Sequence, residues 1–328
     1  MKIAIFGSGS WATAIVKIAS ENHDEVFWWV REKEIEQSVS QSGFNCLYLR
    51  DCKLETRKIK VSTNAEEILQ MANNVMLVVP SAFLEKTFEG LDTNAFKSKN
   101  IISAIKGIVP QTNQIVADFM QDRYGVSLNH QAVISGPSHA EEIAAQRLTY
   151  LTVGSQNPAL AKQISTNFNC RYVCTKTSSD IKGIEFGGVM KNIYALAAGI
   201  CKGLGYGDNF IAVLITRAIS EIDGFLNLVS PCENRDINSS VYLGDLLVTA
   251  YSQHSRNRTF GQMIGSGYSI ASAQLEMSMI AEGYYASKSI NSINKEIKSA
   301  IPIADAVYRI LYNGTSAKEE MRLLSENF

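Results

Sequence analysis

Lys191 and Asn192 lie within Gly187-Gly188-Val189-Met190-Lys191-Asn192-Ile193-Tyr194-Ala195-Leu196-Ala197-Ala198-Gly199, a run that is apolar on nearly every side. Burial disfavours a charged ammonium and lowers its pKa toward the range in which a general acid or base works. A lysine at the helix edge with its head in water is the plainer alternative. Lys106 follows Ile101-Ile102-Ser103-Ala104-Ile105 directly, so a buried strand would carry it to the strand's carboxyl end, where ligands of parallel sheets bind; a surface loop lysine is the alternative. In Gly244–Asn257, residues Asp245, Thr249, Ser252 and Arg256 fall at i, i+4, i+7 and i+11. One continuous helix would align them as a stripe of acid, hydroxyls and guanidinium, lining a site or facing water. Finally, Gly7-Ser8-Gly9-Ser10-Trp11-Ala12 is a GxGxxA run. There the first glycine makes a tight turn, the second admits a pyrophosphate, and Ala12 allows close helix packing.

These residues need elements to hold them. Short apolar runs at Lys2–Phe6, Glu25–Val30, Val75–Val79, Ile101–Ile105, Ala132–Ile134, Leu148–Val153 and Arg171–Cys174 alternate with amphipathic stretches such as Trp11–Ala19, Ala65–Ala72 and Gln114–Asp122. That alternation predicts a Rossmann-like, doubly wound parallel sheet of the α/β class. Gln41–Lys60 breaks the rhythm and reads as an irregular insertion. After Thr177-Ser178-Ser179-Asp180, apolar residues recur at helical spacing, as at Val189, Ile193, Ala197 and Ile200. Two domains are expected: a dinucleotide-binding domain over 1–178 and an all-α substrate and catalytic domain over 179–328.

Length and composition narrow the function classes. The 328 residues carry 31 Lys+Arg against 32 Asp+Glu, a formal net charge of −1, without the basic excess typical of phosphate-backbone binders. No nucleic-acid partner is expected. The start, Met1-Lys2-Ile3-Ala4-Ile5-Phe6-Gly7, has no long apolar leader, and no stretch of about 18 uncharged apolar residues would form a span; a cytoplasmic protein is expected. The six cysteines, at 46, 52, 170, 174, 201 and 232, form no CxxC pair. They read as small buried thiols, with no metal site.

The second strand runs out at Trp29-Val30-Arg31-Glu32. An acid there bonds the ribose of NAD, and an arginine receives the 2′-phosphate of NADP. With the arginine first, the reading leans to NADP with NAD tolerated, although Arg31 as a solvated loop charge fits equally.

With these residues in hand, the chain resembles the bacterial NAD(P)-dependent glycerol-3-phosphate dehydrogenases along its whole length. The motifs that carry the resemblance are GSGSWATA, VVPS at Ser81, KG at Lys106, SGPSHAEEIA around Gly136, and GVMKNIYALAAGI around Lys191. They continue with GDN at Gly207, ITR at Arg217, GDLLVT at Asp245, SRNRTFG at Ser255, AEG at Glu282, and PIADAVYRIL. The resemblance implies reversible reduction of dihydroxyacetone phosphate to sn-glycerol 3-phosphate with NADP or NAD, supplying phospholipid synthesis. It implies catalytic roles for Lys191, Lys106 and Asp245. Substrate contacts would come from these three with Gly136, Ser138, Asn192, Thr249, Ser255, Arg256 and Asn257. Dinucleotide contacts would come from Gly7, Gly9, Ser10, Trp11, Arg31, Lys106, Ala140, Arg256, Ile280 and Glu282. Its partner is a small molecule, and a homodimer is compatible with it.

Departures from the family pattern exist. Val241-Tyr242-Leu243-Gly244-Asp245 replaces a glycine-rich AGxGD, Ala12 stands where glycine is common, and Tyr48-Leu49-Arg50 replaces tyrosine-leucine-proline. Two rival classes share part of this pattern. One is a 3-hydroxyacid or 6-phosphogluconate type dehydrogenase, disfavoured by Ser255-Arg256-Asn257 and the Gly136-Pro137-Ser138 loop. The other is a non-catalytic NADP-sensing module, which has no need of Lys191 and Asp245.

Overall fold

The computed structural model of the protein describes residues 1–277 and 281–328. Two units emerge, one formed by residues 1–105 and 114–181, the other by 106–113 and 182–328. Lys106, expected in the first domain directly after a strand, is thus grouped with the helical unit.

The first unit holds strands β1 (Ile3–Phe6), β2 (Val26–Trp29), β3 (Ile59–Ser62), β4 (Asn74–Leu77), β5 (Asn100–Ser103), β6 (Gln131–Ser135), β7 (Thr149–Gly154) and β8 (Val173–Ser178). Its helices are α1 (Ser10–Asn22), α2 (Lys33–Ser42), α3 (Ala65–Gln70), α4 (Leu84–Thr87), α5 (Val116–Tyr124), α6 (Ala140–Ala144) and α7 (Pro158–Phe168). The sheet order is β3-β2-β1-β4-β5-β6-β7-β8. Strand order reverses direction beside β1, the kind of switch point at which doubly wound sheets bind ligands. β1, β2 and β4 are buried at every residue, as strands covered on both faces must be.

Three expectations need correcting. β3 begins inside the supposed irregular insertion and pairs in parallel with β2, Val61 opposite Trp28. As an edge strand it buries only part of its surface, so Lys58 and Lys60 hide its short alternation of Ile59 and Val61. The sheet is also not wholly parallel, because β7 runs antiparallel to β6. Between them the chain forms only the five-residue α6, in place of the longer crossover helix usual between parallel strands. The last strand lies further along than expected, over Val173–Ser178, because its polar Thr-Lys-Thr-Ser half gains its order by pairing with β7 rather than by burial.

The second unit is helical: α8 (Ile181–Gly203), α9 (Asp208–Val229), α10 (Asp245–Tyr251), α11 (Arg256–Gly265), α12 (Ile270–Glu276), α13 (Glu282–Ile297), α14 (Pro302–Tyr312) and α15 (Ala317–Glu326). The expected single helix through Asp245 and Arg256 is two. The chain leaves helical geometry at Ser252, with φ −66° and ψ 140°, and Ser255 caps a new helix by accepting from Arg258 N–H at 3.3 Å. Among the described residues no helix is long and apolar enough to cross a membrane. The six cysteines are free thiols, of which only Cys52 and Cys201 are buried; the other four are half-buried, contrary to expectation.

α8 and α11 approach backbone to backbone. A Cβ on Gly199 would lie 2.1 Å from the Arg258 carbonyl oxygen, and one on Gly261 would lie 2.2 Å from that of Leu196. Rigid main chain on both sides cannot yield cheaply. Gly199→Ala should therefore cost about 1–3 kcal/mol, the range for overpacking, read as a lowered urea midpoint with unchanged slope. An unshifted midpoint would show that the two helices can part without loss.

Candidate active site

In the helical unit three of the expected residues, Lys191, Lys106 and Thr249, gather about a fourth, Asp245. Lys191, on α8 and 5% exposed, donates from Nζ to Asp245 Oδ1 and, at 2.8 Å, to Thr249 Oγ1. Lys106 Nζ donates to Asp245 Oδ2 at 2.9 Å. The Thr249 hydroxyl is itself oriented, since it donates to the Asp245 carbonyl one turn back at 2.6 Å. An ammonium has three N–H groups, so these bonds leave Lys191 one for a substrate oxygen.

The electrostatics follow from burial. Desolvation drives the Lys191 ammonium down to about 7; the Asp245 carboxylate opposes that fall and the neighbouring Lys106 charge adds to it. Burial alone would raise Asp245, but the two ammonium groups outweigh it and hold the carboxyl below its ordinary value. Lys191 is thus poised to exchange a proton near neutrality while Asp245 stays an anion.

Local sequence explains the placement. Ser240–Gly244 winds as a π-helical turn that runs straight into α10 and delivers Asp245 inward. In place of the glycine-rich version, Val241 and Tyr242 are buried. The Tyr242 ring occupies the space against Gly187 of α8, where an added Cβ would lie 2.9 Å away. That packing stands directly before Asp245, which is buried beside both lysines.

A chain of amides fixes the surroundings. Gly283 N–H donates to Asn257 Oδ1 at 2.9 Å, Asn257 Nδ2 to Asn192 Oδ1 at 2.9 Å, and Asn192 Nδ2 to the Lys106 carbonyl at 2.9 Å. Asn192 and Asn257, expected as substrate contacts, are buried and spend these groups on holding α8, α11, α13 and the Lys106 backbone together. Ser255 is likewise engaged as the α11 cap. Arg256, the first residue of α11, is exposed rather than part of a stripe with Asp245. Glu282 opens α13, and Ile280 lies outside the described residues.

In the first unit the glycine run stands where expected. Gly7 has φ +150°, and a Cβ there would lie 2.6 Å from the Val78 carbonyl oxygen, so only glycine fits the turn. A Cβ on Gly9 would meet nothing within 4 Å. Gly9 is the N-cap of α1, and no side chain caps it. Open space before an uncapped helix start suits a pyrophosphate, which takes backbone N–H groups and the positive end of the helix dipole. The residues therefore fit a dinucleotide. Trp11 Nε1 donates to the Ala104 carbonyl at 3.1 Å, tying α1 to the end of β5.

Gly136, Ser138 and Ala140 follow β6. Gly136 has φ +139° and would set a Cβ 2.5 Å from the Tyr150 carbonyl oxygen, and Ser138 Oγ donates back to the Gly136 carbonyl at 2.9 Å. Ala140 is the first residue of α6.

Sequence reasoning missed Asn45, which is fully buried in the supposed irregular segment. Its Nδ2 donates to the Ser8 carbonyl and to Thr13 Oγ1, each at 2.9 Å, and its Oδ1 accepts from Leu47 and Tyr48 N–H. It braces the glycine turn. A lone asparagine in a segment without periodicity carries no signal of that task.

Comparison with known proteins is consistent along the chain. Residues 2–161 match the family described as NAD-dependent glycerol-3-phosphate dehydrogenase N-terminus, and residues 180–322 match its C-terminus. A glycerol-3-phosphate dehydrogenase (NAD(P)+) of Staphylococcus carnosus is 33% identical over 326 residues, covering 98% of this chain and 97% of that relative. One from an Exiguobacterium species is 35% identical over 323 residues, covering 98% and 94%. The crystal structure of glycerol-3-phosphate dehydrogenase from Coxiella burnetii superposes with a TM-score of 0.90 at 28% identity, covering 99% of this chain and 98% of that one.

Proposed function

The chain belongs to the NAD-dependent glycerol-3-phosphate dehydrogenase family, and from that premise we propose that it interconverts dihydroxyacetone phosphate and sn-glycerol 3-phosphate with NAD or NADP. The observation that carries the reading is the carboxylate of Asp245 shared by Lys191 and Lys106, in a chain whose glycine turn is open for a dinucleotide. The bound coenzyme supplies or removes the hydride at C2. Lys191 directs its remaining N–H at the C2 oxygen and gives up the proton as negative charge gathers there. In the oxidative direction, neutral Lys191 takes the proton from the C2 hydroxyl. Lys106 adds a second positive charge that is already oriented before reaction, so it favours the oxyanion without reorganisation. Asp245 and Thr249 hold the Lys191 head in one direction.

Arg256 receives the substrate phosphate as a two-pronged donor. Asn192, Asn257 and Ser255 position that segment and Lys106, and Gly136 with Ser138 complete the substrate set. Ser10, Trp11, Ala140 and Glu282 belong to the coenzyme set. The cytoplasm, where triose phosphate and reduced dinucleotide arise, is the compartment this reading requires, and the product serves phospholipid synthesis.

The test follows loss of reduced coenzyme absorbance on addition of dihydroxyacetone phosphate. Turnover is expected, and its absence with both NADH and NADPH would refute the function. Arg256→Lys should lower kcat/KM for dihydroxyacetone phosphate by about tenfold or more while leaving unphosphorylated dihydroxyacetone unaffected. Equal losses on both substrates would remove the phosphate from Arg256.

A further inference from the structure

Arg31 and Glu32, which follow β2, carry charges that would treat a 2′-phosphate in opposite ways. Here they engage each other. Arg31 Nε and Nη2 both donate to Glu32 Oε1, at 3.0 and 2.5 Å. The guanidinium side chain is 65% exposed, whereas the carboxylate side chain is only 14% exposed. The second carboxylate oxygen, Glu32 Oε2, is buried with no hydrogen-bond partner.

The backbone fixes this pair against the glycine turn. Arg31 N–H donates to Ser8 Oγ at 2.8 Å, and Val30 N–H donates to the Ser62 carbonyl at 3.1 Å. The Glu32 carbonyl accepts from Ile35 and Glu36 N–H at the start of α2. Glu32 is therefore a held acceptor one residue from a direct bond to the turn that would carry the pyrophosphate. A buried acceptor without a donor is costly. Ribose hydroxyls of an adenine dinucleotide are donors, whereas a 2′-phosphate brings only acceptors and like charge.

Resting on the dehydrogenase reading, we infer that Glu32 selects NAD(H) over NADP(H) by accepting an adenosine ribose hydroxyl, with Arg31 steadying the carboxylate instead of receiving a phosphate. This reverses the leaning drawn from the order of the two residues. Order says which charge comes first along the chain, while the geometry pairs the guanidinium with its neighbour.

Direct titration of NADH and NADPH, by calorimetry on the full chain without substrate, tests the inference apart from turnover. The wild type should bind NADH about tenfold or more tightly than NADPH, as one like-charge contact dictates. Glu32→Gln should tighten NADPH by about tenfold and weaken NADH by a few-fold. Added salt should narrow the wild-type gap, and Arg31→Ala should not weaken NADPH selectively. Tighter NADPH binding by the wild type, lost selectively in Arg31→Ala, would overturn the inference while leaving the dehydrogenase reading intact. Binding of neither dinucleotide would overturn both.

Discussion

Lys191→Ala should lower kcat for reduction of dihydroxyacetone phosphate by about two to four orders of magnitude, the usual contribution of a positioned acid or base. The coenzyme dissociation constant should stay within about twofold, because Lys191 acts on the substrate oxygen and is outside the expected coenzyme set. The pH profile supplies the sign. Burial brings the wild-type ammonium to about 7, and the reductive direction needs it protonated. Reductive kcat should therefore fall as pH rises through about 7, while oxidative kcat climbs over the same interval. The variant should lose that limb, and a small primary amine in solution should restore part of the rate. Near-normal turnover with the limb intact would take the proton away from Lys191.

Asp245→Asn should be the second large loss, for a different reason. The carboxylate is 1% exposed and holds two ammonium groups, so its removal leaves buried positive charges uncompensated. Breaking such a pair costs about 3–5 kcal/mol of stability. The destabilisation should be greatest at low pH, where both lysines are protonated, and should ease as pH rises and Lys191 becomes neutral. Asp245 also opposes the fall in the Lys191 pKa, so its loss should move the reductive limb to lower pH. At mildly alkaline pH, activity should drop by at least about a hundredfold. An unmoved limb in a folded variant would mean that the shared carboxylate does not govern the proton on Lys191.

The two variants also separate the roles. Lys191→Ala removes a proton donor and one of two like charges, so the fold should tolerate it. Asp245→Asn keeps the donor but leaves the charges unbalanced, so stability and pH profile should move together.

Local chemistry was legible along the chain. Gly7-Ser8-Gly9 after a short apolar strand announces a turn and a helix start, because Gly7 takes a positive φ that favours glycine and every participant lies within a dozen residues. An apolar helix surrounding Lys191 announces burial by the same local logic. The alternation of short strands and helices sets the class of fold, since each element must bury one apolar face. Elements that owe their order to a neighbour were invisible. β3 is an edge strand with only a little apolar surface, and the direction of β7 is expressed only in its pairing, antiparallel to β6 and parallel to β8.

Only the tertiary structure decided which groups meet. Lys106, Lys191 and Asp245 are 85 and 54 residues apart in the chain, and no spacing rule links them; packing places both ammonium groups on one carboxylate. Asp245 and Arg256 look like one stripe until the break at Ser252 separates them, because helical periodicity cannot foresee a capping serine three residues on. Asn45 braces the glycine turn from a segment with no pattern at all. Arg31 and Glu32 were both visible as charges, but their partners were not: a side chain's identity is written in the sequence, whereas its hydrogen bonds depend on which other groups burial brings within about 3 Å.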